Sequence, residues 1–186
     1  PSISARCLFR PPPQWPNSRR AHSTSAEPHM LAAALLLCCL CPAASASGAL
    51  GIDVGSSSSV IAIARRGGVD VVSNEATRRQ TPSVVAFDER RRYMGESASA
   101  LRSSRPRGFV AESKALLADR GAASAVEVDY LGSTRKLSPV QIYAMLLHHL
   151  RTTAEREHAS PLPECALAVP AHYGAEQRRA VLDAVE

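Results

Sequence analysis

Hydrophobic and polar positions divide the chain into a polar leader, one short apolar run and a longer body with alternating patterns. Residues 1–29 are rich in Pro, Ser and Arg and show no periodicity, which predicts a disordered leader. Residues 31–41 form an unbroken apolar run, and small residues follow it up to Ala46. This run has the length of a secretory hydrophobic region and is too short to cross a bilayer. Residues 30–46 are therefore predicted to be a signal peptide.

Two other origins of the leader remain open. Residues 1–29 are rich in Arg and Ser and contain a single acid, Glu27, which is also typical of an organelle transit peptide. Alternatively, the leader is an artefact of the gene model and precedes a cytosolic protein.

From residue 47 to residue 186 the pattern predicts a globular α/β body. An apolar run at Ala49–Val54 and a second run at Val60–Arg65 enclose a Gly- and Ser-rich turn, which predicts a pair of strands. The other predicted strands are Val69–Val72, Ser83–Phe87, Val126–Leu131, Thr134–Leu137 and Glu164–Val169. Helices are predicted over Glu96–Ser103, Val110–Leu117, Pro139–Glu157 and Ala175–Val185. The third helix has a clear start signal, with Ser138 as N-cap and Pro139 at its first position.

The turn after the first strand of the body holds the candidate chemistry. Asp53 precedes Gly55 and four hydroxyl residues, Ser56–Ser59. Successive N–H groups of such a turn can bind an anion, and a carboxylate can hold a hydrated metal ion. The turn is not a Walker loop, because no Gly-Lys-Ser/Thr follows. An ordinary Ser-rich hairpin turn explains the same residues equally well, since short Gly/Ser turns are common.

Composition, net charge and cysteine count limit which classes of protein the chain can belong to. Hydrophobic residues make up 45% of the chain but aromatic residues only 4%, so the core must be built from small aliphatic side chains. The net charge is +5, and residues 1–46 alone contribute +3 of it, with four Arg against one Glu. The basic balance thus belongs largely to the leader, and no nucleic-acid partner is expected. The body contains one cysteine, Cys165, which excludes a disulfide framework there.

The order of segments resembles the N-terminal part of the ATPase domain of the heat shock protein 70 superfamily. Four collinear segments carry this resemblance: Gly-Ile-Asp-Val-Gly-Ser at 51–56, Asn-Glu and Thr-Pro-Ser-Val-Val-Ala-Phe within 74–87, residues 109–120, and Ala-Val-Pro-Ala-His-Tyr with Gln-Arg-Arg within 168–179. The resemblance implies an actin-like, ribonuclease-H-like α/β ATPase fold, of which the chain holds a truncated first lobe. Residues 64–69 and 177–184 are most similar to the large branch, the hundred-and-ten-kilodalton and endoplasmic-reticulum stress proteins.

The resemblance also implies a site for ATP or ADP with Mg²⁺. Asp53 would hold the ion through water, and Gly55, Ser56 and Ser57 would contact the phosphates. Lys114 matches the catalytic lysine of the family, which reaches the γ-phosphate or the attacking water. Phosphoryl transfer depends mainly on such positioning and charge neutralisation. By spacing alone, Lys114 would be an exposed helix lysine.

Two further residues match coupling positions of the family, Pro170 and Arg178, which would pass the state of the cleft to a client-binding domain. Three departures from the family are visible. Serines replace its paired threonines after Gly55, the stretch between Arg120 and Val126 is short, and the second phosphate loop, the adenosine site and the client-binding domain are expected beyond Glu186. The 186 residues alone are therefore expected to bind ATP poorly and to be inactive.

The function implied is that of an ATP-binding chaperone, which aids folding as a holdase or as a nucleotide exchange factor. Its partners would be unfolded clients and chaperones of the heat shock protein 70 type, with no membrane contact in the mature chain. Two alternatives stay open, a small-molecule kinase of the same fold and an ATP-binding holdase without turnover; Thr81-Pro82-Ser83 and Val169-Pro170 favour the chaperone over the kinase. The signal peptide predicts the endoplasmic reticulum lumen, and its absence predicts the cytoplasm.

Overall fold

A mixed sheet of six strands forms the centre of the fold in the computed structural model, which describes residues 3–5, 48–104, 106–120 and 125–185. Its strands are β1 (Ile3–Ala5), β2 (Ala49–Val54), β3 (Ser58–Arg65), β4 (Gly68–Val71), β5 (Thr81–Pro82) and β11 (Glu164–Ala168). They lie in the spatial order β1-β11-β2-β3-β4, and β5 pairs with the first residues of β3. β11 runs parallel to β2, whereas the other pairs are antiparallel.

Two smaller sheets, four α-helices and a short 3₁₀-helix at Pro106–Gly108 complete the described chain. The strands of these two sheets are β6 (Val85–Phe87), β7 (Arg92–Met94), β8 (Phe109–Val110), β9 (Val126–Tyr130) and β10 (Ser133–Leu137). The first sheet is antiparallel and has the order β7-β6-β8, and the second is a hairpin of β9 and β10. The helices are α1 (Gly95–Ser99), α2 (Ser113–Arg120), α3 (Pro139–His158) and α4 (Ala175–Val185). The predicted α/β class is confirmed.

The hydrophobic core lies between the sheet and α3. Burial alternates along β2, and its inward residues face those of β3, with Leu50 opposite Ile63 and Ile52 opposite Ile61. The same core takes in one face of α3 at helical spacing. The buried residues of this helix include Ile142, Leu146 and Leu150. The sheet and the helix thus hold the end of β2, where the candidate turn begins, on a packed support.

The start of α3 follows the sequence signal closely. Ser138 Oγ accepts a hydrogen bond from the Gln141 N–H at 3.2 Å, and Gln141 Oε1 accepts one from the Ser138 N–H at 2.9 Å. This capping box satisfies two donors that a helix start would otherwise leave open. The predicted N-cap is confirmed. No helix of the described residues is long and apolar enough to cross a bilayer.

The prediction of a disordered leader is wrong for Ile3–Ala5. These residues form an edge strand that pairs antiparallel with β11, with Ile3 opposite Leu167 and Ala5 opposite Cys165. The physical reason is that the edge of β11 offers unpaired backbone N–H and C=O groups, which an extended segment can satisfy. Residues 6–47 lie outside the described residues, so the rest of the leader and the signal peptide stay predictions.

The helix predicted over Glu96–Ser103 is shorter in the structure, at Gly95–Ser99, and distant contacts move two other boundaries. Phe109–Val110 is a strand paired with β6, and the helix predicted over Val110–Leu117 begins at Ser113 instead. The strand predicted over Ser83–Phe87 begins only at Val85, because the Ser83 N–H donates instead to the carbonyl oxygen of Ser57, next to the pairing of β5 with β3. In both places a contact distant in sequence overrides the local pattern.

Candidate nucleotide site

The turn between β2 and β3 is closed on itself by a glycine. Val54 pairs with Ser59, and the Gly55 N–H donates to the carbonyl oxygen of Ser58 at 3.0 Å. A Cβ atom at Gly55 would lie 2.5 Å from that same oxygen. A side chain at this position would therefore collide with the backbone of the turn itself. The Gly55 N–H is engaged within the turn.

The two serines that follow Gly55 are exposed. The backbone N–H groups of Ser56 and Ser57 donate to no described residue, and both side chains face solvent. These N–H and hydroxyl donors are the ones that the turn can offer to an anion. The far side of the turn is fixed by the Ser59 and Ser83 hydroxyls, which are buried and lie 2.8 Å apart.

Asp53 lies beside this turn, at the end of β2. It pairs with Val60 on one side and with Ala168 of β11 on the other, and its residue surface is exposed. Within the described ranges, no group of three or more His, Cys, Asp or Glu residues could hold a metal ion. A single carboxylate nevertheless fits Mg²⁺, because this ion keeps several waters and takes further ligands from substrate phosphates.

Lys114 reaches the same turn from α2. Its Nζ donates to the carbonyl oxygen of Val54 at 2.5 Å, across a separation of 60 residues. In the part of the chain that the structure describes, no carboxylate forms an ion pair with this ammonium group. Glu112, two residues before Lys114, has a left-handed φ of 56°. Its carbonyl oxygen accepts a hydrogen bond from the Leu116 N–H in the first turn of α2. The exposed lysine expected from spacing alone is thus corrected to a half-buried one.

The segment after β11 contacts Lys114 through an aromatic side chain. The Tyr173 hydroxyl donates to the carbonyl oxygen of Lys114 at 2.9 Å. Arg178 Nε donates to the carbonyl oxygen of Tyr173 at 2.8 Å, and the Tyr173 N–H donates to that of Pro170 at 3.2 Å. Pro170 and Arg178 therefore meet at Tyr173, which itself contacts Lys114. The sequence predicts no role for Tyr173, because no sequence pattern indicates a hydrogen bond between residues 59 positions apart.

A family model described as Hsp70 protein matches residues 49–186. The match includes the turn, Asp53, Lys114 and the segment from Pro170 to Arg178. The chain belongs to the Hsp70 family. The resemblance drawn from the four sequence segments is confirmed.

Individual relatives support the placement within the Hsp70 superfamily. The chain is 31% identical to the Heat shock 70 kDa protein 16 of Arabidopsis thaliana over 73% of its length, which is 20% of that protein. It is 35% identical to the Heat shock protein hsp88 of Neurospora crassa, covering 74% of the chain and 22% of the relative. It is 34% identical to the 97 kDa heat shock protein of Strongylocentrotus purpuratus, covering 74% and 18%. The chain thus spans about a fifth of the length of these curated relatives.

A second tyrosine of this Hsp70-family chain lies close to the site. Burial raises the pKa of Tyr143 on α3 above its usual range, and the neighbouring Tyr173 and the carboxylate of Asp53 raise it further. Burial likewise raises the pKa of Tyr173. Both phenols therefore remain protonated donors at neutral pH. The sequence predicts no role for Tyr143 beyond its place in the helix over Pro139–Glu157.

Proposed function

We propose that the protein is an ATP-binding chaperone of the Hsp70 superfamily that acts as a holdase or as a nucleotide exchange factor. The observation that carries the proposal is the Lys114 ammonium group, which lies at the Val54 carbonyl immediately before the Gly-Ser turn. Among the described residues no carboxylate pairs with Lys114, so its positive charge is available to bind an anion. The exposed donors of Ser56 and Ser57 lie in the turn that follows.

In this proposal the residues act by positioning and by charge. Ser56 and Ser57 would bind phosphate oxygens, and Asp53 would hold Mg²⁺ through water. Bound Mg²⁺ neutralises charge on the phosphates. Lys114 would exchange its bond to Val54 for one to the γ-phosphate or to the attacking water. A neutral carbonyl is a suitable resting partner because it leaves the ammonium charge uncompensated.

The proposed fold is the first lobe of an actin-like ATPase domain. The parallel pair of β2 and β11 places the ends of both strands at one edge of the sheet, and Asp53 pairs with Ala168 there. The coupling role proposed for Pro170 and Arg178 is supported by their position, since the turn after β11 holds both and contacts Lys114 through Tyr173. A change at the turn of β2 can thus reach the start of α4.

Nucleotide titration of the full-length protein with and without Mg²⁺ tests the proposed site. Asp53→Asn should weaken Mg²⁺-dependent ATP binding roughly 10- to 100-fold, as loss of an outer-shell ligand does. Asp70→Asn is the matched control, since Asp70 is an exposed carboxylate of β4 that pairs with Arg65 at 3.9 Å. Equal affinity of the two variants would remove the assignment of Asp53.

Two chaperone assays test the role of the whole protein. A holdase suppresses aggregation of a heat-denatured client, and an exchange factor accelerates release of labelled ADP from a heat shock protein 70 type chaperone. Turnover of ATP separates a hydrolysing chaperone from a holdase without turnover. Phosphorylation of a sugar or of acetate, with no effect on aggregation or on ADP release, would favour the kinase instead.

The proposed location is the endoplasmic reticulum lumen. Residues 30–50 fused to a reporter should direct it into the secretory pathway, and Leu36→Arg should abolish this by interrupting the apolar run. A reporter that stays in the cytosol in both forms would contradict the proposed location and favour the cytoplasm.

A further inference from the structure

Lys114 is held at two points by two different elements. Its ammonium group donates to Val54 at the end of β2, and its own carbonyl oxygen accepts a hydrogen bond from the Tyr173 hydroxyl. We propose that Tyr173 is a positioning residue for Lys114, which fixes the backbone of the lysine so that its amine meets the end of β2. In this role Tyr173 acts through Lys114.

Tyr173 is suited to this task because it is itself firmly placed. It is 5% exposed, and its backbone is bonded at both polar groups, by its N–H to Pro170 and by its carbonyl oxygen to Arg178. Burial raises the pKa of its phenol, so the hydroxyl stays protonated and can donate. The hydrogen bond to Lys114 therefore joins a rigid turn to the first turn of α2.

The consequence for the lysine follows from the geometry. A carbonyl anchor fixes the Cα position of Lys114, and the long side chain then spans to Val54 from a defined origin. Without the hydroxyl, the first turn of α2 can shift, and displacements of about 1 Å at a reacting group cost large factors in rate. The effect on hydrolysis rests on the proposed function, whereas the effect on the amine itself needs no nucleotide.

Amine labelling tests the positioning without any activity. Lys114 and Lys136 are the only lysines of the 186 residues, so each can be followed by mass spectrometry after a brief exposure to acetic anhydride. In the wild-type chain Lys114 should be acetylated more slowly than the exposed Lys136, because its amine is half-buried and bonded. Tyr173→Phe should raise the ratio of Lys114 to Lys136 labelling roughly three- to tenfold, the range expected for one lost hydrogen bond.

Two other variants make the labelling result interpretable. Tyr130→Phe removes a phenol on β9, whose ring packs edge-on against Phe87, and should leave the ratio unchanged. Arg178→Gln loosens the backbone of Tyr173 without removing its hydroxyl and should raise the ratio by a smaller factor. It also serves as the second measurement if Tyr173→Phe does not fold. An unchanged ratio in a folded Tyr173→Phe chain, or in Arg178→Gln if only that variant folds, overturns the proposal.

Hydrolysis by the full-length protein gives an independent readout. Tyr173→Phe should lower kcat roughly three- to tenfold and leave KM for ATP within about twofold. In a Lys114→Ala background the same change should add nothing, because Tyr173 acts through that lysine. A full additional loss there would overturn the proposal. If the labelling ratio responds but the wild-type protein binds no ATP, the proposed function fails and the positioning role stands.

Discussion

The ammonium nitrogen of Lys114 lies 2.5 Å from the carbonyl oxygen of Val54. This contact joins the first turn of α2 to the last residue of β2, and it places a cation beside the Gly-Ser turn. A neutral acceptor satisfies one of the three donors of the amine and leaves its charge available. The structure thus brings together two residues that the sequence separates by 60 positions.

Gly55→Ala should destabilise the domain by roughly 1–3 kcal/mol. Its Cβ would lie 2.5 Å from the carbonyl oxygen of Ser58, which belongs to the backbone and cannot rotate away. Gly67→Ala is the matched control, because nothing lies within 4 Å of a Cβ there, and its effect should stay within about 0.5 kcal/mol. Urea unfolding measures both, and equal midpoints would show that the turn adapts to a side chain.

Ser59→Ala and Ser83→Ala should each cost about 1–3 kcal/mol of unfolding free energy, because each leaves one buried hydroxyl without its partner. The double variant should cost little more than either single variant, since it removes both polar groups. A double-mutant cycle from denaturant unfolding measures the coupling. Additive costs would mean that the two hydroxyls do not depend on each other.

His149 on α3 should make the domain less stable in acid. Burial lowers its pKa, Glu75 opposes this from a distance of 3.9 Å, and the positive charges of Arg156 and His148 add to the lowering. The unfolded chain therefore takes up this proton before the folded chain does, and the unfolding free energy falls as pH drops below about 6.5.

His149→Gln should flatten this pH dependence, whereas His148→Gln, at an exposed neighbouring site, should retain most of it. Chemical unfolding at a series of pH values from about 7 to about 5 gives the comparison. A wild-type stability that rises on acidification would contradict the assignment. The same slope in both variants would also contradict it.

Local sequence signals predict the elements whose boundaries depend on local chemistry. Ala49–Val54 is confirmed at both ends, because the apolar run stops at the Gly-Ser turn. Ala175–Val185 is also confirmed, and Ser138 caps α3 as its position before Pro139 predicts. Short apolar pairs such as Phe109–Val110 fit a helix or a strand equally well, and only their pairing with β6 decides.

In the candidate site, too, the sequence predicts the individual residues but not the contacts that depend on the chain path. The sequence identifies Asp53, Gly55 and Lys114 as candidates, and the structure places the turn and the lysine together. The sequence does not show that the Gly55 N–H is bonded within the turn, because this bond depends on the backbone path to Ser58. The sequence does not identify Tyr173 either, since its hydroxyl bonds a backbone carbonyl, and every residue type at position 114 would supply that carbonyl.

Lys114 is proposed to serve ATP hydrolysis from its position beside the Gly-Ser turn. Single-turnover hydrolysis by the full-length protein tests it most directly, with Lys136→Ala as the control, since Lys136 is an exposed lysine that pairs with Glu127 at 3.3 Å. Lys114→Ala should slow hydrolysis roughly a hundredfold or more while the domain stays folded, whereas Lys136→Ala should stay within about twofold of the wild type. A Lys114→Ala protein that folds and hydrolyses ATP at the wild-type rate would contradict the claim.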